Sequence, residues 1–255
     1  MNSISAVIIT FNEEENIVRC IRSLKAIADE IIVVDSHSTD RTRSVASDLG
    51  AVVHERSWEG YSSAKNYGND LATKTWILSI DADEELSPQL IRSIQNFKEN
   101  ITNDDAFEVN RLTNYCGHWV RFCGWYPDRK LRMWKRGMGN WDGVLHEKIV
   151  FVKPAAISQL KGDLHHYSFP SIQHHVQTLN KYSEVAARDL VDRNKNVFFL
   201  IHVLLNPAYT FINKYFFRLG FLDGYYGFAI CWLSAQANFL KYAKAFFMKR
   251  STREV

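Results

Sequence analysis

Four β-branched apolar runs alternate with helical segments along the first part of the chain, and that alternation decides the architecture. The runs are Ala6–Ile9, Ile31–Val34, Ala51–Val53 and Trp76–Ile80. Each has the length and composition of a strand buried on both faces. Between them the spacing predicts helices over Glu14–Leu24, behind an Asn12 and Glu15 capping pair, over Asp40–Leu49 ending at Gly50, and over Ser62–Ala72. Strand and helix in turn give an α/β fold with a mostly parallel central sheet. Further helices are expected from Pro88 to about Lys98 and from Ile172 to about Asp192, with His174 and His175 of the latter read as solvated.

Each run is followed by polar residues: Thr10 and Asn12, then Asp35, then Glu55 and Arg56, then Asp81 and Asp83. In open α/β sheets ligands bind beyond the carboxyl ends of the strands, so carboxylates from distant parts of the sequence are expected in one cleft. Asp81-Ala82-Asp83 can turn both carboxylates to one side of an extended chain, a pair of hard oxygens suited to Mg²⁺ or Mn²⁺ when phosphate oxygens complete the shell. No G-x-x-x-x-G-K-[ST] and no G-x-G-x-x-G follows the first run. A P-loop ATPase and a Rossmann dehydrogenase are thereby disfavoured, and phosphates are left to metal and side chains. A nucleotidyltransferase is disfavoured too, because Asn12-Glu13-Glu14-Glu15 would repel a triphosphate.

The runs Val7–Glu13, Val33–Ser36 with Ser38–Thr42, Ala64–Gly68 and Ile80–Glu84 resemble, in order, the successive motifs of family 2 glycosyltransferases of the GT-A fold, a nucleotide-diphospho-sugar transferase architecture. Trp141–Glu147 and Gly220–Gly224 resemble the branch that includes bacterial lipopolysaccharide-core β-glucosyltransferases. By that resemblance Thr10, Asn12, Glu13 and Asp35 would line the uracil and ribose pocket, with Lys65 near the nucleotide. Asp81 would contact ribose or metal, and Asp83 would be the principal ligand of Mg²⁺ or Mn²⁺. The metal would neutralise charge on a departing diphosphate.

Inverting transfer needs a base opposite the leaving group. Where many members of the family carry a pair of carboxylates, this chain has His146-Glu147; Glu147 is taken as the base, with the roles of the two exchangeable. Asp163, His165 and His166 form a second polar cluster that could bring one histidine to the metal. Aromatics mixed with arginine between Asn114 and Gly143, among them Trp125, Tyr126 and Arg132, suit a sugar or phosphate acceptor.

Net charge is only 31 − 28 = +3, too small to imply a nucleic-acid binder, and none is expected as a partner. Its distribution is uneven: residues 196–255 hold 16 of the 34 aromatics and seven Lys or Arg against two acids. Tyr226–Phe247 carries Gln236, Asn238, Lys241 and Lys244, so it reads as an amphipathic helix lying on an anionic membrane rather than spanning it. A catalytic domain over 1–195 is expected, with a nucleotide-binding part (1–100) and an acceptor-binding part (101–195), followed by a membrane-association extension over 196–255. Cys20, Cys116, Cys123 and Cys231 have no zinc spacing and read as reduced thiols, and the amino terminus lacks a signal-peptide pattern. The expected protein is a peripheral enzyme on the cytoplasmic face of the inner membrane. It would take a UDP-sugar such as UDP-glucose and glycosylate a lipopolysaccharide-core or lipid-linked saccharide. Two alternatives stand beside it: a polyprenyl-phosphate glycosyltransferase, and a non-catalytic nucleotide-sugar-binding scaffold.

Overall fold

In the computed structural model, which describes residues 2–143 and 147–251, the four apolar runs become four adjacent parallel strands. The chain runs β1 (Ile4–Thr10), α1 (Ile17–Leu24), β2 (Glu30–Asp35), α2 (Thr42–Asp48), β3 (Val52–Glu55), α3 (Tyr61–Leu71) and β4 (Trp76–Asp81). There follow β5 (Glu84–Leu86), α4 (Pro88–Glu99), β6 (Ala106–Tyr115), β7 (His118–Trp119), β8 (Asp128–Lys135), β9 (Gly139–Asp142), β10 (Lys148–Phe151) and β11 (Ile157–Phe169). The nine-stranded sheet has the order β3-β2-β1-β4-β8-β6-β11-β5, with β7 paired to β6, while β9 and β10 pair separately. β3, β2, β1 and β4 are parallel; the pairs β4 with β8, β8 with β6 and β11 with β5 are antiparallel.

Strand alternation builds two cores from one sheet. Ile4, Ala6 and Ile8 of β1, with Trp76, Leu78 and Ile80 of β4, face Ile17, Ile21, Leu24, Leu90 and Ile94 of α1 and α4. Val7 and Ile77 point the other way, into a core with Ala64 of α3 and Trp134. Gly68 lets α3 lie close on the sheet, since a Cβ there would stand 2.4 Å from Val7 Cγ1. Ser87 starts α4 by accepting from the Leu90 amide at 3.2 Å, with Pro88 in the first turn.

The Asn12 and Glu15 capping pair does not form. Asn12 takes a left-handed backbone (φ 54°), its carboxamide oxygen accepts from the Thr39 amide at 2.8 Å, and α1 begins only at Ile17. The loop after β1 is thus tied to the loop after β2 rather than wound into the helix.

The chain divides into two compact units, residues 1–111 with 128–166 and residues 112–127 with 167–255. The boundary expected at 195/196 does not coincide with this division, because Leu112–Pro127 and the next helix belong with the C-terminal helices. The second unit holds α5 (Ile172–Asp192), α6 (Asn206–Ile212) flanked by π-helical turns over Phe199–Leu205 and Asn213–Phe217, and α7 (Gly224–Ser251). Lys244 of α7 reaches Asn180, Ser183 and Glu184 of α5. His174 is exposed as expected, but His175 is 8% exposed: adjacent helical residues face about 100° apart, and the second imidazole turns inward to Tyr115 Oη at 3.0 Å. Asp223, 5% exposed, accepts from the amides of Arg121 and Phe122 and meets His118 Nε2 at 3.2 Å, holding the Leu112–Pro127 segment to the start of α7.

Candidate active site

The parallel strands deliver their carboxyl ends side by side. Register pairs Thr10 with Asp35, Ile9 with Asp81 and Asp35 with Glu55, so residues far apart in sequence share one edge. Thr10 is 6% exposed and its hydroxyl, buried, has no hydrogen-bond partner among the described residues. Asp35 is fully buried; its carboxylate accepts from the amide and the hydroxyl of Ser38, and Arg43 Nε lies 3.8 Å away. Ser38 Oγ also accepts from the Asn12 amide, and Thr42 Oγ1 from that of Glu13. Burial pushes the Glu13 carboxyl above the ordinary range, a hydrogen bond from Asn16 opposes it, and the charge of Asp83 adds to it.

At the end of β4 a chain of alternating charges runs inward. Lys65 Nζ stands 3.2 Å from Asp81 Oδ1, Arg132 Nη2 stands 2.9 Å from Asp81 Oδ2, and the same Nη2 donates to Glu84 Oε1. Glu84 Oε2 accepts from the Asp81 amide at 3.0 Å, and Arg111 Nη1 lies 3.8 Å from Glu84 Oε1. Lys65 also sits over the Trp141 ring at 4.5 Å, a cation held by carboxylate and π-face together. Burial opposes ionisation of Asp81, but Arg132 and Lys65 outweigh it and hold the carboxyl far below the usual carboxylate range. For Glu84 burial prevails over Arg132, and its carboxyl is raised. Asp81 is therefore the standing anion of the site.

Asp83 lies two residues on, and the antiparallel pairing of β11 with β5, which sets His166 opposite Glu84, carries His166 Nε2 to 3.1 Å from Asp83 Oδ2. The Asp83 carboxylate and the His166 imidazole offer a hard and a borderline donor side by side, while both Asp81 oxygens already face Lys65 and Arg132. Among the described residues no group of three or more His, Cys, Asp or Glu side chains could hold a metal unaided. Two such donors fit a divalent ion only if phosphate oxygens or water would complete its shell.

Arg132, expected to face an acceptor, is 4% exposed, with its guanidinium engaged by Asp81 and Glu84. Trp125 and Tyr126 belong to the second unit, where Trp125 packs against Tyr115 and Phe169, and Arg121 lies over the Tyr126 ring. Glu147 is half-buried immediately before β10. His146 lies outside the described residues. Sequence reasoning assigned no role to Glu84; its only local signal was an acid directly after the Asp81-Ala82-Asp83 triplet.

Carboxylates gathered at the carboxyl ends of parallel strands, with a buried lysine and arginine between them, suit a protein that binds a nucleotide-linked sugar. The Glycosyl transferase family 2 description matches residues 5–145. An uncharacterized glycosyltransferase of Rickettsia typhi is 34% identical over 265 residues, covering 100% of this chain and 90% of the relative. The lipopolysaccharide core biosynthesis glycosyltransferase LpsC of Rhizobium meliloti is 29% identical over 255 residues, covering 95% and 92%. A crystal structure of a mycobacterial protein superposes with a TM-score of 0.51 at 17% identity, over 73% of this chain and 74% of that one, a likeness of fold. The fold is of the GT-A class, and the protein is a glycosyltransferase. The chain belongs to glycosyltransferase family 2.

Proposed function

We propose that this glycosyltransferase moves a hexose from a UDP-sugar, UDP-glucose or a close relative, to a cell-envelope saccharide such as lipopolysaccharide core, with inversion at the anomeric carbon. The observation that carries the reading is the Asp83 and His166 pair beside the ionised Asp81, at the strand ends where a diphosphate would lie. The similarity to LpsC supports the envelope acceptor.

Asp83 and His166 would hold Mg²⁺ or Mn²⁺, with Asp81 facing the same ion or the ribose; the ion would supply charge neutralisation for the leaving diphosphate. Lys65 and Arg132 fix the Asp81 carboxylate from below, so its orientation is set before a donor arrives. Thr10, Asn12, Glu13 and Asp35 would line the uracil and ribose pocket. Glu147 would take the proton of the acceptor hydroxyl, with His146 its alternate, while Trp125 and Tyr126 would serve the acceptor. The enzyme would work at the cytoplasmic face of the inner membrane.

UDP release from a panel of UDP-sugars, with Mn²⁺ or EDTA, tests this. Metal-dependent release that falls on the order of a hundredfold or more in Asp83→Ala is expected, a loss typical of removing a main charge-stabilising group. Full transfer by Glu147→Gln would move the acceptor to a polyprenyl phosphate, which needs no base. Binding of a UDP-sugar without turnover on any envelope extract would make the chain a scaffold.

A further inference from the structure

The second unit leaves bare an apolar surface that includes none of the proposed site residues. Ten large apolar side chains between Phe198 and Phe217 are each more than two-fifths exposed, with Leu200 at 62%, Tyr209 at 63% and Phe217 at 76%. The largest apolar patch on a typical monomer, about 300–600 Å², would be used up by roughly half of them. Behind this segment and against α7 lies a groove of about 520 Å³, lined by Val203, Pro207, Phe211, Trp232 and Phe239, with Gln236 the one polar side chain among its lining residues. Phe228, Trp232 and Phe239 recur at helical spacing, so α7 turns an apolar stripe outward along the same side.

Within the segment and α7 themselves the charge is almost all of one sign. Residues 196–222 contain no acid and include Lys214 and Arg218. Asp223, the one acid of the described part of the segment and α7, is buried and spent on backbone amides. Arg218, Lys241 and Arg250 form no ion pair with a carboxylate among the described residues, and no described helix is long and apolar enough to cross a membrane. A second copy seated on this face by two-fold symmetry would bring these like charges together. Anionic lipid brings the opposite charge and a hydrocarbon layer at once.

We propose that this face docks on an anionic phospholipid bilayer, with the Phe198–Phe217 side chains below the headgroups and one acyl chain in the groove beside Trp232. It deepens the reading above by naming what would bring the enzyme to a membrane-borne acceptor. The test uses the full chain with no donor or acceptor present, so a failed transferase reading leaves it untouched. In co-sedimentation at physiological salt, wild type should bind phosphatidylcholine vesicles containing phosphatidylglycerol and bind pure phosphatidylcholine at least about tenfold more weakly. Leu200→Glu with Phe217→Glu should cost a further tenfold or more, and Arg218→Glu a smaller loss. Both variants change exposed side chains and should keep the wild-type circular dichroism and melting temperature. Lipids brominated on the acyl chain should quench wild-type fluorescence more than that of Trp232→Phe. No binding to anionic vesicles, or unchanged binding in both charge variants, overturns the docking; equal quenching overturns the chain in the groove. A wild-type dimer that Leu200→Glu with Phe217→Glu dissociates, without vesicle binding, would give the face to a second copy instead.

Discussion

In the α/β unit the side chains of Lys65, Arg132 and Glu84 are each 5% exposed or less, whereas in the helical unit Leu200, Tyr209 and Phe217 are each more than three-fifths exposed. The two regions break the ordinary distribution of polarity in opposite directions. Buried charge is tolerated only when paired and hydrogen-bonded, and it is kept where a fixed charge has work to do. Exposed hydrocarbon costs little in the isolated fold but leaves a surface that another apolar phase can cover. One region is tuned inward to a polar ligand, and the other is turned outward.

The largest break comes from the inward region. Arg132→Met would leave the Asp81 and Glu84 carboxylates without the guanidinium between them, and a loss of about 3–5 kcal/mol is expected from urea unfolding. Adding Glu84→Gln should return more than about 1 kcal/mol of it, because the two residues act on each other. Recovery of nothing would mean that the arginine acts by packing alone.

The helical unit has its own buried titratable group, and its pH response is distinct. Burial, reinforced by the neighbouring His174, pulls His175 down to about 4. The folded protein therefore binds this proton more weakly than the unfolded chain does, at an ordinary value of about 6.5. The contribution is fully present above about pH 6.5 and is lost as pH falls towards 4, a change of up to about 3 kcal/mol. Thermal unfolding across that window should steepen on acidification in wild type and flatten in His175→Gln.

An intermediate effect is expected at the helix and sheet contact. Gly68→Ala would place a methyl 2.4 Å from Val7 Cγ1 and 3.1 Å from Val34 Cγ2, and should cost about 1–3 kcal/mol by overpacking. A neutral Gly68→Ala would mean that α3 can back away from β1 without loss.

These sites differ in how far the sequence announced them. β1, β2 and β4 were legible because a strand buried on both faces is a continuous apolar run, and β3, at the sheet edge with Val52 55% exposed, showed the same signal in a shorter run. α5 was legible over Ile172–Asp192, though Ser171, which accepts from the His174 amide at its start, was not singled out. The Lys65, Asp81, Glu84 and Arg132 network was not, since Arg132 lies 48 and 51 residues from its partners and no local period encodes such a meeting. His166 was singled out as one of a polar trio, but its approach to Asp83 depends on the register of β11 against β5. His175 was misread for a simpler reason: a solvated pair was assumed where neighbouring helical positions face different ways. The division of the chain was hidden because Leu112–Pro127 leaves the first unit and the chain returns to it, so a single linear boundary could not describe it.

The smallest effect sharpens the comparison most. Phe217 is 76% exposed, so Phe217→Ser removes few contacts and should leave unfolding stability within about 0.5 kcal/mol of wild type. If the outward region were instead a core packed in solution against a second copy, the same change would lower the melting temperature in a concentration-dependent way. An unchanged melting curve at every concentration means that Phe217 contributes nothing to the isolated fold. Its hydrocarbon would then be held in reserve for a surface absent from solution, whereas every buried charge around Asp81 is already committed before any ligand binds.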